Sequence, residues 1–167
     1  MSQRFTVAVH GSSISADHAL HIVVGVRGER FAFSVSHVEE AIDAPAVEWV
    51  PVSPEGMLGQ LPHRGRMVGA WDAGWAFRLP GSAASGAALI LCDGPRRIAL
   101  VVDDVIEIAR IQPGDVQDVP ASADLEGVLR GVCLGKKSGG ALVNVVRVDA
   151  LAALLASRGT FAEGVSP

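Results

Sequence analysis

A chain of 167 residues is long enough for about one domain. With 49% apolar and 19% charged residues it is not a disordered, solvating polymer, and 14 Lys and Arg against 18 Asp and Glu, a net charge of −4, lack the basic footprint of a nucleic-acid or anionic-membrane binder. The 19 glycines and 9 prolines interrupt it too often for long helices and fit short strands joined by turns.

In chain order, residues 1–18 read as a loose arm, within which Phe5–Val9 has the pattern of a short added strand. Leu20–Val26 and Phe31–Val35 are strand-forming runs, and the Gly in the polar linker between them marks a hairpin. Ser36 followed by Glu39 resembles a capping box, which predicts a short helical turn over Val38–Ile42. Val47–Val52 is a strand candidate ended by Pro51 and Pro54, and Gly56–Gly65 reads as a loop or irregular segment. Met67–Trp75 reads as a strand with Gly69 and Gly74 as candidate bulges.

Ala87–Cys92 and Arg97–Asp103 flank Asp93-Gly94-Pro95-Arg96, a strong turn signal. Val105–Ile111 alternates and predicts a strand with one wet face, followed by a long loop over Gln112–Asp124. Leu129–Leu134 and Ala141–Val148 flank a Gly- and Lys-rich turn, and Leu151, Leu154 and Leu155 form one side of a helix that Asp149 caps and Gly159 ends. The tail 157–167 reads as flexible. The sum is an all-β chain of small barrels with one real helix, and spacing alone establishes no internal repeat.

The motifs for chemistry fail. Gly131–Ser138 has three residues between its glycines where a phosphate loop has four, and it sits between strands with no helix N-terminus behind it. Asp103 and Asp104 are adjacent on a strand, so their side chains point to opposite faces and share neither a proton nor a metal. His10, His18, His21, His37 and His63 lack metal-ligand spacing, and no Gly-x-Ser-x-Gly occurs. Cys92 and Cys133 read as reduced core thiols. Phe5–Val9 is too short for the apolar core of a secretion signal, and no run approaches the roughly 20 apolar residues of a membrane span. A soluble, cytoplasmic protein is expected.

One ordered set of segments carries a resemblance. Val38-Glu39-Glu40, Val50-Pro51, Pro54, Gly56, Gly59, His63-Arg64-Gly65, Met67-Val68 and Trp71-Asp72 are followed by Ala99–Val105, Leu129–Val132, Leu142–Val145 and Asp149-Ala150-Leu151. Together they resemble the CheW-like family from about His21 to Leu155. Gly69 stands where a Pro is common, Trp71 replaces a small aliphatic residue and Ala73 a Leu, so the detail of the surface after Arg-Gly departs from the pattern.

The resemblance implies a domain over 19–156 made of two five-stranded SH3-like barrels sharing a central core, with a short helical turn and a C-terminal helix. It implies a scaffold without catalysis, cofactor or metal. Its partners would be methyl-accepting chemoreceptors, whose helical hairpin tips lie in an apolar groove between the barrels. A CheA-type histidine kinase would dock barrel to barrel, at receptor arrays in the cytoplasm, without nucleic acid or direct membrane insertion. Carried onto this chain, Val38, Leu58 and Val68 are expected to line an apolar slot for a helix. Gly59 and Gly65 are expected to permit close approach or unusual backbone angles. Arg64 is expected to pair with Glu40. Two other readings stand beside this one. The first is a small-molecule or nucleotide-binding barrel using Gly135–Gly140 with Lys136 and Lys137, and the second a hydrolase built on Asp103, Asp104 and a histidine. Flagellar, pilus and second-messenger outputs all remain open.

Overall fold

The computed structural model describes residues 4–5, 20–83, 85–137 and 139–163, with side chains described from Leu20 to Arg158. Among the described residues eleven strands form two sheets. They are β1 (Arg4–Phe5), β2 (Leu20–Val26), β3 (Glu29–Ser34), β4 (Val38–Asp43), β5 (Met57–His63), β6 (Arg66–Asp72), β7 (Ala87–Asp93), β8 (Arg96–Val102), β9 (Asp104–Arg110), β10 (Leu129–Leu134) and β11 (Leu142–Val146). Helix α1 (Ala73–Ala76) is a single turn and α2 (Val148–Glu163) runs 16 residues.

One sheet has the order β1-β4-β7-β8-β6-β5 and the other β10-β11-β3-β2-β9. Each closes on itself at one place. The chain after β4 returns so that Glu48 and Gln60 exchange backbone hydrogen bonds of 2.7 and 2.8 Å, and the chain after β9 returns so that Gln117 and Val132 do the same at 2.8 and 2.9 Å. The result is two five-stranded barrels, here barrel A (β4–β8) and barrel B (β2, β3, β9–β11), with β1 added to the outer edge of β4. This is the expected all-β class and architecture.

The topology contains a repeat that spacing does not reveal. Each half of the chain runs hairpin, bulged strand, closing bridge, second hairpin, helix: β2–β6 with α1, then β7–β11 with α2. The leading hairpins are exchanged, so β2–β3 completes the barrel of the second half and β7–β8 that of the first. Both barrels contain one parallel pair at the same place, β6 with β8 and β11 with β3. The bulges coincide as well: Glu39 in β4 and Ile106 in β9, Leu58 in β5 and Arg130 in β10. The residue after each second bulge is a glycine, Gly59 and Gly131. A Cβ on Gly59 would lie 2.1 Å from the Glu48 carbonyl oxygen and one on Gly131 2.4 Å from that of Gln117. Both glycines are therefore where the barrel wall folds back on itself, and Gly59 also has φ 147°.

The exchanged hairpins explain the continuous apolar runs. In β2, Ile22, Val24 and Val26 join a core shared by both barrels while Val23 points into barrel B; in β7, Leu89 and Leu91 join the shared core while Ala88 and Ile90 point into barrel A. Strands buried on both faces need no polar alternation. Across the shared core, Phe31 of barrel B stacks on Phe77 at 3.9 Å between ring centroids. Arg27, at the β2–β3 turn, reaches the other barrel. It donates to the Asp72 carboxylate at 2.7 Å, to the Ser82 carbonyl at 3.0 Å and to the Leu79 carbonyl.

Several local expectations are corrected. Val38–Ile42 belongs to β4 and not to a helical turn; a 3-10 turn over Val35–His37 precedes it, because pairing with β7 outweighs the local Ser36–Glu39 signal. Val47–Val52 forms no strand: only Glu48 pairs, and the prolines on either side cannot extend a ladder. Gly56–Gly65 contains β5 instead of a loop, since Gly59 serves barrel closure and Pro62 is tolerated on a strand at the end of its sheet. The strand expected to reach Trp75 stops at Asp72. Its carboxylate caps α1 by accepting from the N–H groups of Gly74 at 3.3 Å and Trp75 at 3.1 Å. Helix α2 continues past Gly159. Of Phe5–Val9 only Phe5 is described, as part of β1, and the rest of the arm and residues 164–167 lie outside the described residues.

Candidate functional site

Sequence position and burial separate the seven expected contact residues. Val38 is 3% and Val68 5% exposed; they belong to the shared core and to the interior of barrel A. Leu58 is half-buried against that same interior. Gly59 is buried at the closing bridge, so its geometry is accounted for by the barrel. Arg64 and Gly65 are exposed on the β5–β6 turn, with φ of 48° and 75°, the left-handed pair that a two-residue hairpin turn needs.

The expected Arg64–Glu40 pair does not form. Glu40 is met by His63, whose Nδ1 lies 3.1 Å from the carboxylate, and Arg64 lies 3.9 Å from Glu39 instead. Alternation places Arg64 at the tip of the turn, while His63, the last residue of β5, faces across the open seam to β4. Its Nε2 lies 3.0 Å from one oxygen of Glu39, and Arg97 Nε lies 2.6 Å from the other. Carboxylates only accept hydrogen bonds, so a singly protonated His63 ring satisfies one of its two carboxylate neighbours and a doubly protonated ring satisfies both. Burial works to raise the Glu39 pKa, but the hydrogen bond with His63 and the charges of Arg97 and Arg64 outweigh it and hold the carboxyl below its ordinary value. These groups line an open cleft of about 510 Å³ at the mouth of barrel A, together with Arg66 and Pro95.

The second half of the chain presents different chemistry at matching positions. Val105 stands in β9 where Val38 stands in β4, and Ile108 where Ala41 stands. Val38 and Ala41 share the central core with Val148, Leu151 and Leu155 of α2. Val105 and Ile108 are 39% and 48% exposed. Ile106 is 37% exposed beside them, and Leu134 and Leu142, opposite each other on β10 and β11, are 65% and 61% exposed. Sequence reasoning missed this face; the alternating pattern of β9, apolar on both of its sides yet read as wet on one, was the signal available.

The alternative chemistries gain no geometry. The Asp103 carboxylate accepts from the backbone N–H of Arg27, a turn-stabilising contact, and the Asp104 carboxylate lies over Gly25. Lys136 is 78% exposed and lies 3.8 Å from Asp115, on a turn between two strands. Burial pushes the Cys133 thiol up, with Asp115 adding to it, and burial likewise raises Cys92. Among the described residues no group of three His, Cys, Asp or Glu is placed to hold a metal ion. Among them, too, no helix is long and apolar enough to cross a membrane.

The fold is similar to that of the scaffolding protein CheW from Thermoanaerobacter tengcongensis, with a TM-score of 0.68 at 17% identity over 77% of this chain and 88% of that one. No curated protein sequence matches. The sequence profile of the CheW-like domain matches residues 21–156. With the profile spanning most of its length and two interlocked barrels beneath it, the chain belongs to the CheW-like domain family.

Proposed function

We propose that this protein is a non-catalytic chemosensory adaptor that couples the signalling tips of chemoreceptors to a CheA-type histidine kinase at receptor arrays. The observation that carries the reading is the bare apolar face of β9. In barrel A, Val38 and Ala41 are buried in the shared core; in barrel B the matching residues Val105 and Ile108 are bare. A receptor helix laid along β9 would cover them, an apolar helix-in-groove contact. The groove runs beside the shared core, the place the family resemblance gives to the receptor tip.

The kinase regulatory domain docks on a barrel end. Leu134 and Leu142 form an exposed apolar pair of the kind that marks a protein contact. Of the seven residues first expected at the contacts, Arg64 and Gly65 keep exposed surface, Leu58 is half-buried, and Val38, Glu40, Gly59 and Val68 act from behind by holding the barrel.

The test is co-sedimentation with a soluble receptor signalling hairpin and, separately, with the kinase regulatory domain. Val105→Glu with Ile108→Glu loses the receptor hairpin and keeps the kinase domain; Leu134→Glu with Leu142→Glu does the reverse. Receptor binding unchanged in the first variant removes the groove assignment, and wild-type protein that binds neither partner removes the function.

A further inference from the structure

We propose that the open end of barrel B binds a small aromatic heterocycle bearing a ring N–H group, in space that side chains fill at the same end of barrel A. In barrel A, Leu61, Ile90 and Ile42 pack in the interior. His63, two residues on from Leu61 and on the same face of β5, is buried as well. Strand pairing fixes the counterparts in barrel B: Cys133 for Leu61, Val23 for Ile90, Ala109 for Ile42 and Gly135 for His63. Every one of the four is the smaller residue. All four line one cavity of about 420 Å³, together with Ile111 and Val143 of the barrel interior. The residues that are larger in barrel B, Val145 for Ala70 and His21 for Ala88, do not line it. The cleft at the mouth of barrel A reaches none of Leu61, Ile90 and Ile42. Protein interiors are close-packed, and barrel A shows that this fold can fill the same space from its own side chains.

Barrel A also shows the chemistry of the group that is missing. There the His63 ring presents Nδ1 to the Glu40 carboxylate at 3.1 Å. Glu107 stands in β9 where Glu40 stands in β4, and it lines the cavity. A guest ring takes up the volume of the shortened side chains and donates its N–H to Glu107. That carboxylate has a contact of its own, and with about four lone-pair sites it accepts a further donor. An apolar lining with one placed polar group is the usual make-up of a small-molecule site. Charge at the rim comes in both signs, and Lys136 and Asp115 answer each other at 3.8 Å, so the cavity selects a neutral ring over a free anion.

The experiment adds 3-methylindole or 1-methylindole to the full chain, without receptor or kinase, and follows the amide resonances by NMR. The two probes have the same size, and only the first carries an N–H. The expected result is saturable shifts at Val23, Ala109, Cys133 and Gly135 and none at Leu61, Ile90 and Ile42. The 1-methyl isomer should bind about tenfold more weakly, as loss of a hydrogen bond to a charged acceptor does. Cys133→Leu with Ala109→Ile rebuilds the side chains of barrel A; it should abolish binding and raise the melting temperature. Gly135→His supplies the ring from the chain itself and should block the probe in the same way. No saturable shift with either probe up to its solubility overturns the proposal. Equal affinity for the two isomers marks a merely apolar void and overturns the assigned chemistry. Undiminished binding by both filled variants places the probe elsewhere and overturns it too. Because the chain is tested alone, failure here leaves the adaptor reading and the β9 groove untouched.

Discussion

The two barrels share strand order, a parallel pair, paired bulges and a glycine at the closing bridge, yet their surfaces have opposite chemistry. Barrel A seals its seam with Glu39, Glu40, His63 and Arg97 and buries the apolar face of β4 in the shared core. Barrel B has Ile106 and Gly135 at the matching places and leaves β9 bare. The common features are those a small closed sheet needs. The differences lie at positions where the barrel tolerates either choice, which is why they are the positions to read for partners.

The largest expected effect tests the shared part. Gly59→Val forces a Cβ into the Glu48 carbonyl and a side chain into left-handed backbone, and is expected to cost about 3–5 kcal/mol in urea unfolding. Gly131→Val meets the clash without the left-handed angle and should cost about 1–3 kcal/mol. Equal losses would mean that backbone angle contributes nothing to the difference.

Next comes the buried strand against the bare one. Val38→Glu buries a carboxylate in the shared core and should destabilise by about 3 kcal/mol or more, whereas Val105→Glu should stay within about 0.5 kcal/mol. A thermal melt that drops equally for both would show that β9 is covered in solution.

The clamp between barrels is then compared with an ordinary ion pair. Arg27→Met removes the charged partner of the buried Asp72 carboxylate, which keeps its backbone donors from Gly74 and Trp75, and should cost about 3 kcal/mol, while Arg78→Met, whose pair with Glu126 is 61% and 54% exposed, should cost about 0–1 kcal/mol.

The smallest effect concerns pH. Because the Glu39 carboxyl is held below its ordinary value of 4.5, its stabilisation is fully present above that value and is lost as pH falls through the depressed pKa. The melting-temperature gap between wild type and Glu39→Gln should therefore be widest near neutrality and close as the pH falls below 4.5 through the depressed pKa. A gap that does not narrow on acidification would remove Glu39 as the titrating group.

Much of the fold was legible. β2, β3, β7, β8, β9, β10 and β11 follow from apolar runs bounded by turn residues, and the Gly28 turn announces its hairpin. What misled were local signals that tertiary pairing overrode. Ser36 and Glu39 mimic a helix cap in a segment that the β7 edge claims, and Gly59 and Pro62 look like breakers inside β5. Asp72 is the opposite case: its helix-capping role was present in the sequence and passed unread. The site was less legible. Arg64 was found, but its expected partner Glu40 faces His63, because one bulge at Glu39 shifts which carboxylate reaches which arginine.

The sequence by itself determined the class, the short strands, the charge balance and family membership, because periodicity and turn chemistry act over a few neighbouring residues. Only the tertiary structure decided that the leading hairpins are exchanged, that Val38 is covered while Val105 is bare, and which charges meet at the barrel mouths. Those outcomes depend on contacts between residues far apart in the chain, set by the register of paired strands and by which strand faces the shared core.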